Sequence, residues 1–113
     1  MIKSEQGPRL AFLEKAEVNL IAETLVAFAN TEGGTIIFGL KEDGEIAQKK
    51  IETKILEKAL RDADAACNPP VVIGNWEEVE SEKGTVFTLR VPRSIELHAL
   101  SDGRVLIRSG VKN

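Results

Sequence analysis

Val18, Ile21, Leu25, Phe28 and Ala29 recur at steps of three and four. That spacing predicts an amphipathic helix over about residues 14–30, with Glu17, Asn19, Glu23 and Thr24 on its far face. Gly33 and Gly34 stop it, because glycine tolerates the left-handed turn that follows a helix. Residues 35–40 form a nearly unbroken apolar run rich in branched side chains. It is too short for a helix and predicts a strand buried on both faces. The turn Glu42-Asp43-Gly44-Glu45 closes it. Ile51, Ile55, Leu56, Ala59, Leu60, Ala63 and Ala66 repeat the helical period, so a second helix is expected over residues 51–66, broken by Asn68-Pro69-Pro70.

Past the prolines the period changes to two. Residues 71–79 and 84–91 read as strands joined at Ser81-Glu82-Lys83-Gly84, with Phe87, Leu89 and Val91 on one face and Thr88 and Arg90 on the other. Residues 97–100 and 104–108 predict a second hairpin, because Asp102-Gly103 is a dipeptide that tight turns favour. There Val105 and Ile107 share one face, and Arg104, Leu106 and Arg108 the other. A short strand at residues 10–13 precedes the first helix. The expected fold is α+β: a single domain with a mixed, mainly antiparallel sheet of about five strands packed with two helices.

Composition supports that reading and narrows the setting. A chain of 113 residues with 42% hydrophobic positions builds one core and leaves no room for two. Its single cysteine, Cys67, excludes an intrachain disulfide and points to a reducing compartment. The polar start excludes a signal peptide, and no apolar run approaches the roughly 18 residues of a membrane span. A cytoplasmic location and no membrane partner are therefore expected. The formal charge is -3, but it is uneven. Residues 1–82 hold nine basic and sixteen acidic side chains, whereas residues 83–113 hold six basic ones, Lys83, Arg90, Arg93, Arg104, Arg108 and Lys112, against Glu96 and Asp102. Such asymmetry suggests one surface for an anionic partner.

Several chemistries lack the residues they need. One histidine and one cysteine, without CxxC or HxxxH, do not make a common zinc site, so no metal and no cofactor is expected. His98 reads as an ordinary strand residue. Neither Ser94 nor Ser109 has a histidine at a predictable spacing, which argues against a serine hydrolase. Gly33-Gly34 lies between helix and strand, the reverse of a phosphate cradle. A lone tryptophan, Trp76, and no tyrosine argue against a stacking platform for single strands.

Residues 28–40 read FANTEGGTIIFGL, followed by Glu42-Asp43-Gly44-Glu45-Ile46. This stretch resembles the signature of the Schlafen AlbA-type domain, also called the divergent AAA-4 domain, with the approximate pattern AFANTxGGxIxIGVxDxG. Val91-Pro92-Arg93-Ser94 resembles the family's VPxS, and Val105 to Gly110 with Asn113 resembles its closing YxRxGxxN. The resemblance runs from Glu5 to Asn113. Much of it is scaffold: Asn30 and Thr31 satisfy backbone groups at the helix end, and the glycine pair lets the chain reverse into the sheet.

The resemblance implies nucleic-acid binding, DNA or RNA, within a transcriptional regulator or helicase-related protein. Residues 1–113 would then be the N-terminal part of a longer chain, with downstream domains as further partners. The expected phosphate ligands are Arg90, Arg93, Arg104, Arg108 and Lys112 on a sheet face or its rim. In related Schlafen domains a metal held by three acidic side chains cleaves structured RNA. Here Glu5 and Asp43 fall near the first and third of those places, while Ala11 occupies the second, where the family has glutamate. Losing one of three carboxylates undermines a hard-cation site, so a non-catalytic binding module is the leading expectation. Glu5 and Asp43 remain the candidates for an endoribonuclease. The acidic majority, with Glu77, Glu78, Glu80 and Glu82 on one hairpin, favours a third reading, a protein-interaction or homo-oligomerisation domain.

Overall fold

The computed structural model describes residues 6–47, 50–110 and 112–113. In chain order its elements are β1 (Leu10–Leu13), α1 (Val18–Ala29), β2 (Gly34–Phe38), α2 (Thr53–Ala65), β3 (Cys67–Asn68), β4 (Glu77–Ser81), β5 (Gly84–Val91) and β6 (Ala99–Leu100). The main sheet has the order β1-β2-β5-β4. β1 runs parallel to β2, and β5 is antiparallel to both β2 and β4. β3 and β6 pair apart from it as a short antiparallel ladder. Among the described residues the domain is thus α+β, with two helices, as the hydrophobic pattern requires, and a mixed sheet of four strands beside the two-stranded ladder.

Side-chain alternation decides what each face of the sheet covers. Ala11, Leu13, Ile36, Phe38, Phe87, Leu89 and Val91 turn toward Ile21, Leu25 and Phe28 of α1 and Leu56 and Leu60 of α2, forming the main core. Each fully buried aliphatic or aromatic side chain there contributes about 1.5–3 kcal/mol. Phe12, Ile37, Leu40 and Val86 form a smaller cluster, with Leu10 and Ile46 packed against it. Register places Phe12, Ile37 and Val86 on the opposite face. The run at residues 35–40 is apolar at consecutive positions because β2 is covered on both sides. Trp76 packs edge-on against Phe87, with ring centroids 5.4 Å apart, and belongs to the core.

The glycine pair is required by close approach. Gly33 is left-handed, with φ of 75°. A Cβ on Gly33 would lie 2.6 Å from the Val91 carbonyl oxygen, and one on Gly34 would lie 2.8 Å from that of Arg9. The Gly33 amide also donates to the Phe28 carbonyl, closing the end of α1.

Several expected boundaries shift. α1 begins at Val18, since Glu17 is extended. Thr24, expected on the far face, is 1% exposed. Its hydroxyl donates to the Leu20 carbonyl and accepts from Asn113 Nδ2, which makes the polar group tolerable inside. Within residues 71–79 only the last part is strand. Asp64 Oδ1 takes the Val71 amide, so the chain turns over α2 before Glu77 joins the sheet.

The second hairpin forms only at its turn, where the Leu100 amide donates to the Arg104 carbonyl. One pair further along, the Asn30 carboxamide stands between the arms. Its Oδ1 accepts the His98 amide at 2.8 Å, and its Nδ2 donates to the His98 and Leu106 carbonyls at 2.8 and 3.0 Å. A side chain therefore replaces the backbone ladder expected at residues 104–108. The alternation survives: Leu106 packs on the core and Arg108 is 7% exposed, whereas Val105 and Ile107 are 48% and 58% exposed.

Candidate nucleic-acid interface

The glycine pair draws three chain segments together at one end of the sheet. Register sets Arg9 beside Gly34 and Gly34 opposite Val91. The Arg9 carbonyl accepts the Thr35 amide at 2.9 Å, and the Arg93 amide nitrogen abuts Gly33. Arg90 is opposite Thr35 on the helix-free face. Lys112 joins the same neighbourhood through its reciprocal bridge to Ser109 and through Asn113, whose side chain holds the Arg108 guanidinium against the turn at residues 7–10. Arg9, Arg90, Arg93 and Lys112 are all exposed. Among the described residues none of the four forms an ion pair.

Two of the five expected phosphate ligands stand elsewhere. Arg108 donates from Nε to the Gly7 carbonyl, from Nη2 to the Leu10 carbonyl and from Nη1 to Asn113 Oδ1, and its guanidinium lies 5.2 Å from the Phe28 ring centroid. Burial pushes its pKa down from the ordinary arginine value, yet the group stays charged because that value is so high. Three of its five donors close the fold, and the side chain is buried. Arg104 is exposed but lies near the middle of α1, bridging Asp102 and Glu23 at 2.9 and 3.1 Å. Hydrogen bonds to Asp102 and then Glu23 raise its pKa. The Arg104 amide, and then its side chain, hold the Asp102 carboxyl below its usual value. Arg9, which the sequence reading left out, stands at the glycine end; only the fold reveals it, since it is 81 residues from Arg90.

The opposite end of the sheet carries the other sign. The turn after β2 exposes Glu42, Asp43 and Glu45, and the β4–β5 hairpin exposes Glu80 and Glu82, against Lys41 and Lys83. Among the described residues, the exposed carboxylates on the segments that meet at the glycine end are Glu32 and Glu96. Exposed charge is thus segregated along the strands among the described residues.

The acidic candidates fare differently. Asp43 Oδ1 accepts the Glu45 amide at 2.9 Å, the bond of an aspartate turn, and Gly44 follows with φ of 88°. Glu5 lies outside the described residues. Ala11 is buried against the helices, so the second of the three acidic places is in the apolar core. Among the described residues no three His, Cys, Asp or Glu side chains converge.

Ser94 does have a histidine partner, contrary to the spacing argument. His98 Nε2 lies 2.8 Å from Ser94 Oγ, and Nδ1 lies 2.7 Å from the Pro69 carbonyl. A carbonyl only accepts, so Nδ1 donates to Pro69, and Nε2 and the Ser94 hydroxyl share the second bond. Ser94 Oγ also accepts the Glu96 amide, and His98 is 2% exposed. The pair ties the β5–β6 connection to β3. Cys67 is likewise interior: burial first, and the Asp64 charge second, push its thiol up to about 11.

No helix among the described residues is long and apolar enough to cross a membrane. No curated protein matches the chain. Among solved structures, the DIP2311 protein from Corynebacterium diphtheriae shares the fold, with a TM-score of 0.67 and 14% identity. The likeness covers 94% of this chain but 22% of that one, so the domain spans about a fifth of the Corynebacterium protein. The signature at residues 28–40 now has a physical role in each part: Asn30 and Thr31 fasten the closing segment, and the glycines seat β2 against β5 and the start of β1. The Schlafen AlbA_2 family model matches residues 4–113, and the chain belongs to that family, a membership consistent with a DNA-binding type of domain.

Proposed function

We propose that the glycine end of the sheet binds nucleic-acid phosphates without catalysis, using Arg9, Arg90, Arg93 and Lys112. The observation that carries this reading is that the segments bearing four exposed cations, free of ion pairs among the described residues, meet at one end of the sheet while the acidic turns occupy the other. Guanidinium groups suit phosphate oxygens because their forked donors are planar and permanently charged. With no aromatic platform, contacts run to the backbone rather than to bases, and affinity is weakly dependent on sequence. In this reading the domain is the binding part of a longer transcriptional regulator or helicase-related protein.

The test is the salt dependence of binding to a labelled duplex. Three to four engaged phosphates predict a slope of log affinity against log salt of about -3 to -4. A flat response would overturn the proposal. The same titration with structured RNA, with and without magnesium, separates binding from cleavage: strand scission lost in Asp43→Ala would restore the endoribonuclease reading.

A further inference from the structure

Segment 104–108 has one edge engaged and one edge open. The Arg104 carbonyl accepts from Leu100, the Leu106 carbonyl from Asn30 Nδ2, and the Arg108 amide donates to Thr31 Oγ1. In an extended chain the peptide groups of alternate residues point to opposite sides, so those of Val105 and Ile107 face away from the domain. They have no hydrogen-bond partner among the described residues, and both side chains are exposed. An unpaired edge bearing branched apolar residues is a template for another strand, and natural edges normally carry charge or proline to prevent this. β4, the outer strand of the main sheet, has that protection in Glu77, Glu78 and Glu80. Segment 104–108 lacks it at Val105 and Ile107, and the charge of its exposed Arg104 is matched by Asp102 and Glu23.

The order of residues identifies the occupant. Arg104-Val105-Leu106-Ile107-Arg108 is symmetric in residue type about Leu106. Antiparallel pairing with itself, with the twofold axis at Leu106, sets Val105 of each copy opposite Ile107 of the other. Those pairs point their peptide groups at one another and exchange hydrogen bonds in both directions, and their β-branched side chains meet on the exposed face. The arginines do not oppose this: Arg108 is turned inward and Arg104 is matched by Asp102 and Glu23. We propose that a second copy of this chain docks here, pairing segment 104–108 with itself across a twofold axis through the edges at Val105 and Ile107. This is independent of the phosphate reading, since pairing requires no nucleic acid.

Sedimentation equilibrium of the chain tests it. The apparent mass rises with concentration from 12.3 kDa toward twice that value, and the Val105 and Ile107 amides become slow to exchange as it does. Ile107→Pro removes one donor on the open edge and holds the mass at that of one chain. Should that variant fail to fold, Val105→Cys with Ile107→Cys gives the second measurement: mild oxidation joins two copies, far faster than it joins Ile55→Cys, a substitution at an exposed position on α2. A mass that stays at 12.3 kDa at the highest concentration would overturn the proposal. So would self-association that leaves both amides freely exchanging, or cross-linking no faster than the Ile55→Cys control.

Discussion

Arg108 and Arg93 come from the same basic stretch, and the fold puts them to opposite uses. Arg108 belongs to the fastening region, where Asn30, Thr31, Asn113 and the carbonyls of Gly7 and Leu10 converge. Arg93 belongs to the rim, where exposed cations stand without carboxylate partners among the described residues. Charge alone does not distinguish them. The distinction is commitment and exposure: three of the five Arg108 donors already have acceptors and the side chain is buried, whereas the Arg93 side chain is open to solvent.

The fastening region is the one to break for the largest effect. Asn30→Ala removes three hydrogen bonds between α1 and the closing segment, and stranding partly buried partners costs about 3 kcal/mol. Denaturant unfolding checks this through its midpoint. Arg108→Met keeps most of the packing but forfeits the bonds to Gly7, Leu10 and Asn113, lowering stability by about 2 kcal/mol. The sharper readout is binding: at a temperature where Arg108→Met is folded, its salt slope equals that of the native chain. A slope reduced by about one would move Arg108 to the rim.

At the rim the order reverses, with binding affected and stability spared. Arg93→Ala weakens affinity by about fivefold across all sequences and reduces the salt slope by about one, while the unfolding midpoint is unchanged. Arg104→Ala gives the smallest effect. It breaks exposed ion pairs to Asp102 and Glu23, which costs no more than about 0.5 kcal/mol and leaves the salt slope intact.

The helices, β2 and the β4–β5 hairpin were legible because each satisfies its own period and turn chemistry within a short stretch. The failure at residues 104–108 has a definite cause. Alternation correctly placed Arg104, Leu106 and Arg108 on a common face, but a ladder also needs a backbone partner, and the partner is supplied by a side chain 76 residues earlier, Asn30. Nothing local in the closing segment records that. The rim was half visible for a similar reason. Arg90 and Arg93 stand out beside a recognisable strand, whereas Arg9 becomes their neighbour only because β1 pairs parallel with β2. The Ser94–His98 contact escaped because the turn between them brings a spacing of four to contact outside any helix.

Backbone amide shifts on titration with a short duplex test the segregation most directly. The account predicts that the largest changes fall at Arg9, Gly33, Gly34, Arg90 and Arg93, with none at Glu42 to Glu45 or Glu77 to Glu82. Changes centred on the acidic turns, or an unperturbed spectrum at low salt, would contradict it.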